Sequence, residues 1–187
     1  MDDIQTLFDS DEAENEYMQE IAKQAASKRI LDVTCSTRSI WFNKNNPAAL
    51  YCDCRYEEHE ETFGNPPRLR HTVVHPDIIC NFTNLPFSDN SFNLVVFDPP
   101  HRYGLKDSWF LKRYGTYETK EEMLDTITKG FHECMRVLEP NGVLVFKWSE
   151  IQISTSDIIS AFGVDPLFGH RSGKKMGTHW LCFMKGV

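Results

Sequence analysis

Apolar and polar positions alternate along this chain in two rhythms, short unbroken apolar runs and longer stretches with an apolar face every third or fourth residue. The clearest run, 92–97, is almost wholly apolar, as expected of a strand buried on both faces. Related runs predict strands over 29–33, 48–52, 77–80 and 143–148. The first is broken by the small polar run Thr34-Cys35-Ser36-Thr37, and the second ends at Asp53. Helical spacing places Tyr17, Met18, Ile21, Ala22 and Ala25 on one face of residues 11–28. Thr119 followed by Glu122 has the form of a capping box, and Leu124, Ile127, Phe131, Met135 and Leu138 then recur at threes and fours. Pro140-Asn141-Gly142 is expected to end that helix. Ser154 with Asp157 predicts a further short helix that Gly163 can close. Residues 55–61 and the Asn65-Pro66-Pro67 break read as surface loop or frayed helix. Segments 165–168 and 179–184, joined by a Gly- and Lys-rich turn, predict a terminal hairpin.

Strands separated by helical or long connections imply parallel pairing with right-handed crossovers, hence a three-layer α/β sandwich. In such sheets a ligand sits beyond the carboxyl ends of the strands, near the reversal of strand order. With 187 residues the chain is sized for one core. The expected organisation is an acidic N-terminal segment, 1–28, ahead of a single domain, 29–187.

Composition narrows the classes. A chain that is 41% hydrophobic and 25% charged is neither a disordered tail nor a membrane bundle, and its aliphatic runs are far below the roughly 20 residues of a transmembrane helix. The start Met1-Asp2-Asp3 lacks the features of a secretory signal, so a cytoplasmic location is expected. The net charge of −7 is concentrated: residues 1–20 hold eight acids and no Lys or Arg, leaving 20 basic and 27 − 8 = 19 acidic groups elsewhere. A nearly neutral body leaves room for a local basic face. Six cysteines read as reduced thiols. Cys52 and Cys54 with His59, His71 and His75 could be assembled into a zinc site, but the spacing fits no standard finger, and no metal is expected.

The strongest chemical signal is Asp98-Pro99-Pro100-His101, directly after the apolar run. Two prolines remove two amide donors and fix two φ angles, so the ladder stops and carbonyls are left to face a ligand. The Asp98 carboxylate and the Pro99 carbonyl then form a rigid acceptor pair suited to an NH2 group. The alternative is a proline-rich strand terminator with an N-capping aspartate.

The segment 30–37, Asp53, the stretch Asn81-Phe82-Thr83-Asn84-Leu85-Pro86-Phe87 and Asp98-Pro99-Pro100-His101 together resemble class I S-adenosylmethionine-dependent methyltransferases over residues 29–187. The likeness is greatest to small phage or prophage amino methyltransferases. It implies a Rossmann-like fold, with a mainly parallel seven-stranded sheet ending in an antiparallel C-terminal hairpin, and S-adenosylmethionine as cofactor. Asp32 and the loop Thr34, Cys35, Ser36 and Thr37 would approach its methionine part, Asp53 its ribose hydroxyls, and Asn81 and Phe82 its adenine. The loop carries Thr34, Ser36 and Arg38 where the family has glycines. Hydroxyls would then replace backbone contacts and Arg38 hold the cofactor carboxylate; otherwise cofactor binding is weak or lost.

Catalysis would fall to Asp98, Pro99, Pro100 and His101, the last standing where the family more often has Tyr, Phe or Trp and serving as a stacking plate, with Tyr103 as a substitute, or else as a proton relay or a satisfied polar residue. Basic and aromatic residues interleave over 102–120, including Tyr103, Lys112 and Arg113, and recur at Arg171, Lys174 and Lys175; with Lys147 and Trp148 they form the expected substrate surface. The expected acceptor is an exocyclic amine of a nucleobase, adenine foremost, in single-stranded nucleic acid or extruded from a duplex. No target-recognition domain fits in the chain, so a protein partner or a second copy would supply sequence recognition. The competing readings are a methyltransferase for a side-chain amide or small amine, and a non-catalytic binding module.

Overall fold

The computed structural model describes residues 11–105, 115–172 and 177–187. The predicted strands appear as β1 (Ile30–Asp32), β2 (Ala49–Asp53), β5 (Ile78–Ile79), β6 (Phe92–Phe97) and β7 (Leu138–Ser149), all mutually parallel. With β8 (Phe168–Ser172) and β9 (Thr178–Met184) they build one seven-stranded sheet in the order β5-β2-β1-β6-β7-β9-β8, in which β9 runs antiparallel to both neighbours. This is the expected Rossmann-like α/β fold. Chain order reverses between β1 and β6, so the loops after these two strands diverge and leave a crevice.

Period-two burial divides the sheet into unlike faces. Leu31, Leu50, Val95, Phe97, Leu144, Phe146 and Phe183 point into the main core, with α1 (Asp11–Ala26), α2 (Lys120–Val137) and α3 (Thr155–Phe162) packed there. Ala49 and Tyr51 belong to a small second cluster on which Ile30 and Trp41 pack, so a loop covers that half of the opposite face. Both predicted caps form: the Thr119 hydroxyl accepts from the Glu122 amide and the Ser154 hydroxyl from the Asp157 amide, while Gly163 closes α3 at a φ of 68°.

Three expectations need correction. Residues 57–61 are not loop or frayed helix: β3 (Glu57–Phe63) and β4 (Arg68–Val74) form an antiparallel hairpin pairing Glu57 with Val74 through Phe63 with Arg68, and the Asn65-Pro66-Pro67 break is the turn between them, as expected. The ribbon stands apart from the main sheet and needs no continuous apolar face; Arg70 lies 3.8 Å from the Phe63 ring centre and pairs with Glu61 across the strands. The terminal hairpin is shifted, since 168–172 forms the strand and Leu167 only approaches it, donating its amide to the Cys182 carbonyl. Finally α2 stops at Val137, and Pro140-Asn141-Gly142 falls within β7 at a register irregularity, with Asn141 at a φ of 64°.

Candidate active site

The site is built where β1, β2, β5 and β6 end. Asp32, the last residue of β1, is fully buried; one carboxylate oxygen accepts from the Thr34 amide (3.1 Å) and the other from Trp41 Nε1 (2.7 Å). Burial pushes its pKa up to about 7, the two hydrogen bonds opposing and the charges of Asp98 and Asp53 adding to the rise. The loop then turns through left-handed conformations without glycine: Ser36 has φ 46° and Arg38 φ 52°.

Side-chain contacts hold that strained turn in place. The Ser36 amide donates to Asp53 Oδ2 (3.0 Å). Arg38 donates to the Lys44 carbonyl (2.9 Å), the His75 carbonyl (2.9 Å) and Asp77 Oδ1 (3.1 Å), and its guanidinium lies 3.8 Å from the Tyr51 ring centre. Arg38 is therefore committed to the framework, and the sequence-based assignment of it to a cofactor carboxylate does not fit its contacts.

Thr34 ties the two rims of the crevice together, its hydroxyl accepting from the Asp98 amide at 2.9 Å. Between them opens a cavity of about 690 Å³, its mouth included, lined by Val33, Thr34, Ser36, Asp53, Asn81, Phe82, Asp98 and Pro100. Seven of these eight were singled out from the sequence. Cys54, Arg55, Gly115, Thr116, Tyr117 and Thr126 complete the wall; Tyr117 belongs to the aromatic and basic stretch expected to meet substrate, Cys54 was read only for the zinc alternative, and the other four were not singled out. Arg55 was legible in principle, two residues beyond Asp53. Tyr117 is buried, its hydroxyl has no hydrogen-bond partner among the described residues, and burial pushes its pKa up.

Each predicted polar group is engaged. Asp53 accepts from the Arg55 amide (3.1 Å) and Nε (3.0 Å) on Oδ1, and from Ser36 N and Arg55 Nη2 (3.3 Å) on Oδ2. Asn81 Oδ1 accepts from the amide and hydroxyl of Thr83, and Phe82 packs against Phe97 with ring centres 5.2 Å apart. Gly130 of α2 makes that packing possible: a Cβ there would lie 2.4 Å from Phe82 Cδ2. Asp98 is paired with Lys147, Nζ to Oδ2 at 2.5 Å. Pro99 and His101 are not among the residues lining the cavity; burial lowers the His101 pKa, the Asp98 charge opposes this, and Lys147 and Arg102 lower it further.

Other predicted residues fall elsewhere. Cys35 is buried in the second cluster, where burial pushes its thiol pKa up. Thr37 does not line the cavity, and its carbonyl accepts from Lys44. Trp148 is not a substrate residue: it is fully buried, its indole N–H donates to the Ile153 carbonyl (3.0 Å), and its ring stacks on Phe146. Tyr103 is bound to Gln152 through both backbone groups. Arg171 lies in β8 rather than in the turn. Lys112, Arg113, Lys174 and Lys175 lie outside the described residues. Among the described residues no cluster suits a metal; His59 pairs with Glu57, and His71 and His75 with Glu58, so the zinc alternative is not assembled. No helix among them is long and apolar enough to cross a membrane.

No protein-family model and no curated protein matches the chain. Among solved structures it is similar to the PH0226 protein from Pyrococcus horikoshii, at 11% identity over 95% of this chain and 92% of that one, with a TM-score of 0.53. It is also similar to the (4+2) cyclase SpnF, at 12% identity over 94% and 80% of the two chains, TM-score 0.50. The N-methyltransferase NodS from Bradyrhizobium japonicum in complex with S-adenosyl-L-homocysteine gives 12% identity over 100% and 94%, TM-score 0.50. These likenesses establish the fold, and a cyclase beside a methyltransferase means that the reaction has to be argued from the site.

Proposed function

We propose that the protein is an S-adenosylmethionine-dependent N-methyltransferase whose acceptor is an exocyclic amino group of a nucleobase. The observation that carries the reading is a single cavity, at the reversal point of the sheet, lined both by the loop after β1 and by the turn after β6. The walls fit the cofactor: Val33, Phe82 and Pro100 offer apolar surface for a flat ring, and Asp53 and Asn81 offer polar ends. The ribose hydroxyls would take over Asp53 oxygens that Arg55 now occupies. The NodS complex, on the same fold, holds the demethylated form of this cofactor.

When bound, S-adenosylmethionine supplies a methyl activated by its sulfonium, so that the acceptor lone pair forms the new N–C bond and the C–S electron pair stays on sulfur. The protein has to place the acceptor and exclude competing geometries. Asp98, anchored through its amide to Thr34 and through its carboxylate to Lys147, supplies a fixed oxygen for an NH2 donor. The Pro99 carbonyl, with two lone pairs, would supply the second oxygen. Hydrogen bonds to both oxygens favour a pyramidal nitrogen, and the proton shed after attack leaves through Asp98 to water. His101 neighbours Trp148 edge to face, ring centres 6.4 Å apart, which orients it as a plate beside the acceptor.

The test is transfer of a labelled methyl from S-adenosylmethionine to single-stranded DNA, duplex DNA, RNA and a protein extract, with mass spectrometry of the product. Label on an exocyclic base nitrogen is the expected result. Label confined to protein amides would move the acceptor to the competing class, and no label in any substrate would remove the enzyme reading.

A further inference from the structure

We propose that Lys147 is a specificity-determining residue that restricts the acceptor to amines carrying no positive charge. The inference rests on the methyltransferase reading and names the substrate class of its acceptor site.

The register of the sheet creates the arrangement. Phe97 of β6 pairs with Phe146 of β7, so the next residue on each strand, Asp98 and Lys147, meet at the rim. The two side chains are only 17% and 23% exposed, and Lys147 lies 5.9 Å from the ring centre of Trp180, its partner on β9. Asp98 borders the cavity, whereas Lys147 is not among the residues lining it. The carboxylate that would receive the amine is thus already neutralised from outside the cavity wall. The other groups around it are the Thr34 hydroxyl, the His101 ring and the buried Asp32 carboxyl, whose pKa the Asp98 charge helps to raise.

Alkylamines are protonated at neutral pH, with pKa values near those of lysine, about 10. Such a cation at Asp98 would compete with Lys147 for the same carboxylate and sit beside a like charge in a half-buried place, where repulsion is poorly screened. It would also have no lone pair until it lost a proton. An aromatic or amide NH2 is uncharged. It needs only a remaining acceptor position, and a carboxylate offers about four, one of which Lys147 uses on Oδ2. A bare aspartate would attract the ammonium form; the ion pair removes that attraction and leaves the hydrogen-bonding oxygen.

The experiment compares wild type, Lys147→Met and Lys147→Arg on two probes, adenosine and n-butylamine. Labelled methyl transfer is followed from pH 7 to 9.5, and equilibrium binding of each probe is followed by ligand-observed NMR with and without S-adenosylhomocysteine. Circular dichroism checks that each variant is folded. Wild type should prefer adenosine at pH 7, with transfer to butylamine rising as that amine loses its proton. Lys147→Met should shift the butylamine-to-adenosine ratio by about tenfold or more at pH 7, as expected for removing a like-charge neighbour, and Lys147→Arg should keep the wild-type ratio. An unchanged ratio in Lys147→Met, or a wild-type preference for butylamine at pH 7, overturns the proposal. The binding ratio is read whether or not turnover is seen. A protein that shows the ratio but neither binds S-adenosylhomocysteine nor transfers methyl would sink the methyltransferase reading and leave the charge selection standing.

Discussion

Two carboxylates stand at opposite ends of the same cavity, and their cations hold them in different ways. Asp53 is clasped by Arg55, two residues along the chain and itself part of the cavity wall. Asp98 is held by Lys147, brought from the neighbouring strand and absent from that wall. An incoming ligand can displace a cation that shares its space, so the Asp53 pair behaves as an exchangeable latch. The Asp98 pair has its cation outside that wall, where an incoming ligand does not compete for its space. One end is therefore suited to accepting hydroxyls by exchange, the other to presenting a fixed oxygen to a reacting group.

Breaking the Asp98 end should have the largest effect. Asp98→Ala removes the fixed oxygen, and methyl transfer should fall by about 100- to 1,000-fold, the range seen when a single preorganised group is removed. Binding of S-adenosylhomocysteine should be nearly unchanged; an equal loss of both would mean that Asp98 serves the cofactor end.

Asp32, buried between the two ends, gives the next effect. An unfolded aspartate ionises near pH 4 and the folded one near 7, so the folded state holds the proton longer. The stability this group contributes should fall as pH rises from about 4 to about 7 and level off above, a change of at most about 4 kcal/mol. Urea unfolding of wild type and Asp32→Asn across that window checks it: the variant should have the shallower pH slope, and parallel slopes would contradict the assignment.

Gly130→Val should cost about 1–3 kcal/mol in chemical denaturation, because the new side chain overpacks the core against Phe82 and Phe97. It should also weaken S-adenosylhomocysteine by displacing Phe82 into the cavity. Unaltered stability and affinity would show that α2 can move aside.

The smallest effect is expected at the latch. Arg55→Ala leaves the largely buried Asp53 carboxylate without its cation, and S-adenosylhomocysteine, whose hydroxyls can take the freed oxygens, should bind a few-fold more tightly. Weaker binding would mean that Arg55 itself holds the ligand, and the contrast between the two ends would fail.

The strands of the main sheet could be read from the sequence because burial there is written in the residue types; 92–97 has the limits the apolar run predicted. The hairpin of β3 and β4 could not, since most of its residues face water and a stretch such as Glu57-Glu58-His59-Glu60-Glu61 carries no apolar alternation. The loop after β1 was legible as a position but not as a conformation: left-handed φ angles at Ser36 and Arg38 depend on contacts with Asp53, His75 and Asp77, far along the chain. The Asp98–Lys147 pair joins residues 49 positions apart and becomes visible only once the register of β6 on β7 is known. Trp148 was misread for the same reason. Next to Lys147 in sequence, it lies on the opposite face of β7, in the core.

The central claim is that the cavity beyond β1, β2 and β6 is the cofactor site. Calorimetric titration of S-adenosylhomocysteine into wild type and Asp53→Asn tests it most directly. The account predicts saturable binding of one ligand per chain, weakened in the variant. An absence of heat at millimolar ligand, from protein that circular dichroism shows to be folded, would contradict it.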